Sequence, residues 1–173
     1  MASPISCLSI LIIPLLVTSL FYDVSNADRS LVEKICRASM DHDYCLSVLL
    51  SDPEGLTNVL YRLGLVATSV SLKIIPGVKG EIGNVLIGVK DKGTRDRITG
   101  CQADIDIIYD DMEQARTAAG TQSYKEEAKS LASAQDKIAF CNQRFVTMQS
   151  PIKSSTSKIE KLINICAVIL QMI

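Results

Sequence analysis

The stretch from Cys101 to Cys141 constrains the fold more than any other part of the chain. Between these cysteines lies a polar, helix-rich segment with a single clear turn signal at residues 119–123. Gly120 lies near the midpoint, 19 residues after Cys101 and 21 before Cys141. An antiparallel helical hairpin with its turn at Gly120 would therefore bring the two cysteines level with each other.

Hydrophobic periodicity predicts that both cysteines face inward. On each arm, apolar residues recur every three or four positions, as in an amphipathic helix. We therefore expect a disulfide between the arms, worth roughly 4 kcal/mol in the chain-entropy model for a loop of about 40 residues. The first seam contains Ile98, Cys101, Ile105, Ile108, Met112, Ala115 and Ala119, and the second contains Tyr124, Ala128, Leu131, Ala134, Ile138, Cys141, Phe145 and Met148.

Residues 1–27 have the pattern of a secretory signal peptide. Residues 5–22 are almost wholly apolar, and Ser25-Asn26-Ala27 supplies the small residues that a signal peptidase accepts. A run of this length without a preceding Lys or Arg also allows an uncleaved anchor. With cleavage, we expect a secreted, extracellular protein of residues 28–173 that has no membrane association.

The charge balance after residue 27 excludes one class of partner. Only Asp23 is lost from the 19 acidic residues, which leaves 18 acids against 18 bases. A net charge near zero gives no electrostatic case for nucleic-acid binding.

Five cysteines follow residue 27, an odd number for an exported protein. Cys36 and Cys45 flank a polar turn that a second disulfide can close, although five cysteines allow other pairings. Cys166 lies on the apolar face of the last predicted helix, so we expect a buried free thiol. The alternative for Cys166 is an intermolecular bond. Because His42 is the only histidine and no CxxC occurs, we expect no metal and no cofactor.

The helical patterns predict an all-α chain. Residues 28–54 read as a small N-terminal helical hairpin, and residues 55–173 as four long amphipathic helices. Pro76-Gly77 interrupts the first of these, at 55–90, and predicts either a kinked helix or two helices. The others are expected at about 97–119, 122–148 and 152–173. Short connections favour an up-and-down four-helix bundle, here preceded by the hairpin and held by two disulfides.

Several segments together resemble the plant invertase and pectin methylesterase inhibitor family. Residues 31–36, 43–45 and 51–53 are similar to the opening hairpin of that family, and a second cysteine pair lies some 40 residues apart on consecutive helices. Residues 141–145 keep an aromatic residue four positions after the fourth cysteine, and residues 150–152 resemble the Ser-Pro-aliphatic entry to the last helix. The resemblance covers essentially all of residues 28–173.

Three positions depart from the family pattern. The family usually has an acidic residue after the fourth cysteine, where this chain has Asn142, and its last helix usually opens with an asparagine, where this chain has Thr156. Pro76 interrupts a helix that is typically unbroken.

The resemblance implies a secreted plant inhibitor that acts in the cell wall, or apoplast, and is not an enzyme. Its partner would be a pectin methylesterase, whose active-site cleft a rigid helical surface would block. Inhibitors of acid invertase (beta-fructofuranosidase) often carry Pro-Lys-Phe at the turn between the two helices that the second cysteine pair joins (the stapled helices), which here carry Cys101 and Cys141. Here the turn reads Gln122-Ser123-Tyr124-Lys125, which favours pectin methylesterase, with acid invertase as the alternative.

Two surface features are candidates for partner binding. Asp106, Asp110 and Glu113 share one face of the first stapled helix, away from the cysteine seam, and form either an ordinary solvated face or an acidic strip that meets a basic enzyme. The second candidate is the turn with Gln122, Ser123 and Tyr124, although helical spacing also allows Tyr124 to be core.

Two other function classes fit the residues less well. The serines and Cys166 have no histidine partner, no glycine-rich phosphate loop occurs, and no catalytic residue is identified. A small-ligand carrier without inhibitory activity would need more internal space than a doubly stapled bundle suggests.

Overall fold

The computed structural model describes residues 29–173, all of whose regular elements are helical. The predicted signal peptide and its cleavage site lie outside the described residues. The elements are α1 (29–38), α2 (His42–Leu49), a 3₁₀ turn (Pro53–Gly55), α3 (Leu60–Gly88), α4 (Lys92–Gly120), α5 (Tyr124–Gln143) and α6 (Lys153–Gln171).

The predicted all-α architecture is confirmed. Helices α3 to α6 form a closed four-helix bundle in which α4 packs between α3 and α5, and α6 packs between α5 and α3. The connections between these helices are short, so neighbours run antiparallel. The core is built almost entirely from aliphatic side chains, and the largest fully buried ones are mostly isoleucine and leucine.

The N-terminal hairpin, α1 and α2, packs on one side of the bundle. Helix α2 lies against α3 and α6. The Met40 N–H donates a 2.8 Å hydrogen bond to Oδ1 of Asn164, and Lys161 Nζ lies 2.7 Å from Oδ2 of Asp41. The same ammonium lies 5.5 Å from the centre of the Tyr44 ring, so polar contacts as well as apolar burial fix the hairpin to α6.

Both predicted disulfides are present. Cys36 is bonded to Cys45 and Cys101 to Cys141, with Cα atoms 5.3 and 4.7 Å apart. Among the described residues, Cys166 is the free cysteine and it is fully buried, as predicted. Burial raises the pKa of its thiol to about 12, so this thiol is protonated and unreactive in the folded protein.

Helix α3 is continuous through Pro76, so the two-helix alternative is wrong. Pro76 and Gly77 lie on the exposed side, whereas Ile75, Val78 and Ile82 continue the buried stripe across them. Packing along the inner face outweighs the loss of one backbone hydrogen bond on the outer face.

Helix α3 is also long and apolar enough to cross a membrane by length and composition alone. Half of its most apolar window is buried inside the bundle, as in the core helix of a bundle protein.

The first predicted seam is confirmed, and the second is wrong at both of its ends. All seven residues of the first seam are buried. At the start of α5, Glu127 and Ser130 take the inward positions, whereas Ala128 is exposed and Tyr124 is half-buried. Met148, which lies beyond the end of α5, is 37% exposed. The inward side chain of Glu127 lies against α3, where its Oε1 would be 3.6 Å from a Cβ at Gly64, an ordinary van der Waals distance.

Two helix ends also differ from the prediction. Helix α4 begins at Lys92, because the Asp91 carboxylate caps it by accepting a 2.7 Å hydrogen bond from the Thr94 N–H. Helix α5 ends at Gln143, and a series of turns carries Phe145 back into the core.

Candidate functional site

The turn between α4 and α5 is a complete Schellman motif centred on Gln122. The Ser123 N–H donates to the Ala118 carbonyl over 2.8 Å, and the Gln122 N–H donates to the Ala119 carbonyl over 3.1 Å. Gln122 has φ 55°, the only positive φ among described non-glycine residues. Glycine usually occupies this position. The predicted turn residue Gly120 is instead the last residue of α4 and has no positive φ.

Beside this turn lies a groove of about 630 Å³ between α4 and the start of α5. Of the predicted binding residues, Asp110, Glu113 and Ser123 line it. The groove combines carboxylates, hydroxyl groups and an amide, a composition suited to a cationic or strongly hydrogen-bonding group. Its lining residues are Asp110, Glu113, Gln114, Thr117, Ala118, Thr121, Ser123 and Glu126.

The three acids of the predicted strip are not equivalent. Asp106, Asp110 and Glu113 are all exposed on α4, as predicted. Asp106 forms an ion pair with Lys79 of α3 and does not line the groove. Within residues 29–173, Asp110 and Glu113 have no ion-pair partner, so their charges remain available to another molecule.

Glu126 is a groove residue that the sequence reasoning missed. It lies in the first turn of α5, where a carboxylate also interacts favourably with the helix dipole. The sequence feature that could have indicated Glu126 is the adjacent pair Glu126-Glu127 directly after a turn. Neighbouring helix positions point in different directions, and here Glu126 faces the groove while Glu127 is buried.

An ion pair at the other end of the hairpin reinforces the disulfide. Arg144 donates from Nε and Nη2 to Oδ2 of Asp104, over 3.1 and 2.9 Å. The guanidinium crosses α4 directly over Gly100, where a Cβ would lie only 2.7 Å from Nη1. Asp104 and Asp111 are both buried, unlike the exposed acids of the same helix.

Asn142 and Thr156, two positions that differ from the family pattern, contact each other. The Thr156 hydroxyl, on a buried residue of α6, donates a 3.0 Å hydrogen bond to Oδ1 of Asn142 on α5. A neutral pair thus joins the two helices where the family pattern has an acid and an asparagine. Neither residue lines the groove. Their contact helps to pack α5 against α6.

The groove lies on two helices whose relative position is fixed. Within the described residues, no group of three or more His, Cys, Asp or Glu side chains is placed to hold a metal ion. The groove walls belong to two helices that a disulfide and an ion pair fix to each other. Such a surface can meet a partner with little ordering of its own.

Comparison with known proteins places the fold and the family. The family model described as plant invertase/pectin methylesterase inhibitor matches residues 30–172. A crystal structure of mutant form A of a pectin methylesterase inhibitor from Arabidopsis is similar, with TM-score 0.66 and 15% identity over 80% of this chain and 94% of that one.

A crystal structure of a pectin methylesterase inhibitor from Arabidopsis thaliana has TM-score 0.59 and 16% identity, over 83% of this chain and 95% of that one. No curated protein sequence matches the chain significantly.

Proposed function

The chain belongs to the plant invertase/pectin methylesterase inhibitor family, and on this premise we propose that it is a secreted inhibitor that binds a cell-wall pectin methylesterase and occludes its active-site cleft. The observation that carries the proposal is the family match, which spans residues 30–172. The similar folds are those of pectin methylesterase inhibitors. Acid invertase is the second candidate target, since the family description includes invertase inhibitors.

The geometry favours steric blocking by the α4–α5 end of the bundle. The turn projects from a stapled pair of helices, and the groove beside it carries the carboxylates of Asp110, Glu113 and Glu126. We assign Gln122, Ser123 and Tyr124 to the same contact surface because they form the turn itself. A preorganised surface of this kind loses little conformational entropy on binding, and its charges would speed association with a basic enzyme.

Two inhibition assays test the proposal. The oxidised protein is titrated against a plant cell-wall pectin methylesterase and against an acid invertase, at mildly acidic pH. We expect inhibition of the esterase alone. Inhibition of invertase alone would show that acid invertase is the target instead. Inhibition of neither enzyme would contradict the proposal. Secretion is checked separately by N-terminal sequencing of the exported protein, which should begin at Asp28.

A charge-reversal series locates the contact surface. Asp110→Lys with Glu113→Lys should slow association and flatten its salt dependence, because both charges are unpaired. Asp106→Lys should have a smaller effect on association, since Lys79 already compensates that charge. Asp136→Lys is the matched control, an exposed acid on α5 outside the groove. If the double variant leaves the association rate unchanged, the groove is not part of the interface.

A further inference from the structure

Glu127 buries a carboxyl group in the interior of the bundle. Glu127 is 1% exposed, and its Oε2 atom has no hydrogen-bond partner in the part of the chain that the structure describes. A buried ionised carboxylate without a partner is strongly unfavourable, because neither water nor a protein donor compensates its charge. The described structure therefore favours the neutral form of this group.

Among residues 29–173, no cation forms an ion pair with Glu127. Where a Cβ on Gly64 of α3 would lie, the nearest atoms are Oε1 of Glu127, a methyl group of Ile169 on α6 and the Cβ of Ala119 on α4. Helix α6 also brings the buried Cys166 thiol close enough to interact with Glu127. Burial alone raises the pKa of the Glu127 carboxyl, with no contribution from a charged group on α3 or α4.

We propose that Glu127 is a pH-sensitive element of this fold, which holds the bundle most tightly when its carboxyl group is protonated and loosens it when that proton is lost. Helix α5 begins only three residues before Glu127. Loss of the proton would therefore act first on the start of α5 and on the adjoining turn. The proposal concerns the fold and holds whether or not the protein inhibits an enzyme.

The direction of the pH effect follows from proton linkage. In the unfolded chain the carboxyl titrates near its ordinary value of 4.5, and in the folded protein its pKa is higher. The folded state thus binds the proton more tightly. The stabilisation is complete below the unfolded pKa and is lost as the pH rises through the folded pKa. Each unit between the two values lowers the folding equilibrium constant about tenfold at neutral pH.

Urea unfolding of the oxidised protein between pH 3.5 and 8, followed by circular dichroism, tests this inference. Glu127→Gln removes the titration and keeps the shape of the side chain, so we expect a flatter stability profile and a larger folding constant than wild type at neutral pH. Asp136→Asn is the matched control, since it removes a carboxylate from an exposed position of α5 away from the start of the helix. The control should keep the wild-type profile.

A direct titration makes the test quantitative and independent of the variants. The side-chain carboxyl carbon of Glu127, observed by NMR in the wild-type protein, gives its pKa in the folded state. The difference between that pKa and the ordinary value of 4.5 must account for the ratio of the folding constants of Glu127→Gln and wild type at neutral pH. A carboxyl that titrates at its ordinary value would overturn the proposal, as would profiles of equal slope in the wild type and Glu127→Gln. If Glu127→Gln does not fold, the NMR titration alone decides.

Discussion

Removal of each disulfide should destabilise the bundle in proportion to the length of the loop that it closes. The Cys101–Cys141 bond spans 40 residues and the Cys36–Cys45 bond spans 9. In the chain-entropy model these loops correspond to about 4 and about 2.6 kcal/mol at 25 °C. The double variant Cys101→Ala/Cys141→Ala should therefore lose about 1.3 kcal/mol more stability than Cys36→Ala/Cys45→Ala.

Urea unfolding at fixed pH measures this difference. With a slope of about 2 kcal/mol per molar urea, the midpoints should fall by about 2 M for the long loop and about 1.3 M for the short one. Loss of either bond should also steepen the transition, because the unfolded chain becomes less compact. Cys166→Ala is the control for loss of a buried sulfur atom and should cost about 1 kcal/mol. Equal losses for the two pairs, or a larger loss for the short loop, would refute the loop-entropy reasoning.

Three further predictions concern residues of the bundle. Gln122→Gly should stabilise the fold by about 1 kcal/mol in urea unfolding, because glycine relieves the left-handed backbone at a smaller entropic cost; a loss of stability would contradict this. Gly100→Ala should stabilise the protein by about 1 kcal/mol only in an Arg144→Ala background, since in wild type the new Cβ displaces the guanidinium. Equal effects in both backgrounds would show that the close approach is unimportant. Cys166 should react with a thiol reagent at pH 8 only as the protein unfolds, whereas rapid labelling of the native protein would contradict its burial.

Local spacing was sufficient to predict the helices, apart from some of their ends, and to favour the two disulfides that form. The seam that places Cys101 inward depends only on the helical period of α4, and the Cys36–Cys45 bond depends on a short polar turn. Such features are properties of neighbouring residues, so they can be read without knowledge of the fold.

Features that depend on a distant part of the chain were missed or left open. Whether Glu127 or Ala128 faces the core depends on how α5 packs against α3, where Glu127 lies beside Gly64, more than 60 residues earlier in the chain. The course of α3 through Pro76 depends on packing along its opposite face. The Arg144–Asp104 contact joins residues 40 positions apart. In each case a tertiary contact outweighs the local preference.

The candidate binding residues and the residues that stabilise the helical hairpin lie on different faces of α4 and α5. Asp104 is buried and Asp110 is exposed, although both belong to the same acidic stretch of α4. Recognition and stability can therefore change separately: reversal of the charge of Asp110 should leave the unfolding midpoint nearly unchanged, whereas a change at Asp104 should lower it. Gln122 is the exception, because its side chain belongs to the proposed contact surface while its backbone carries a left-handed turn. A variant at Gln122 that gains stability and loses inhibition would show that recognition, not folding, accounts for the residue found there.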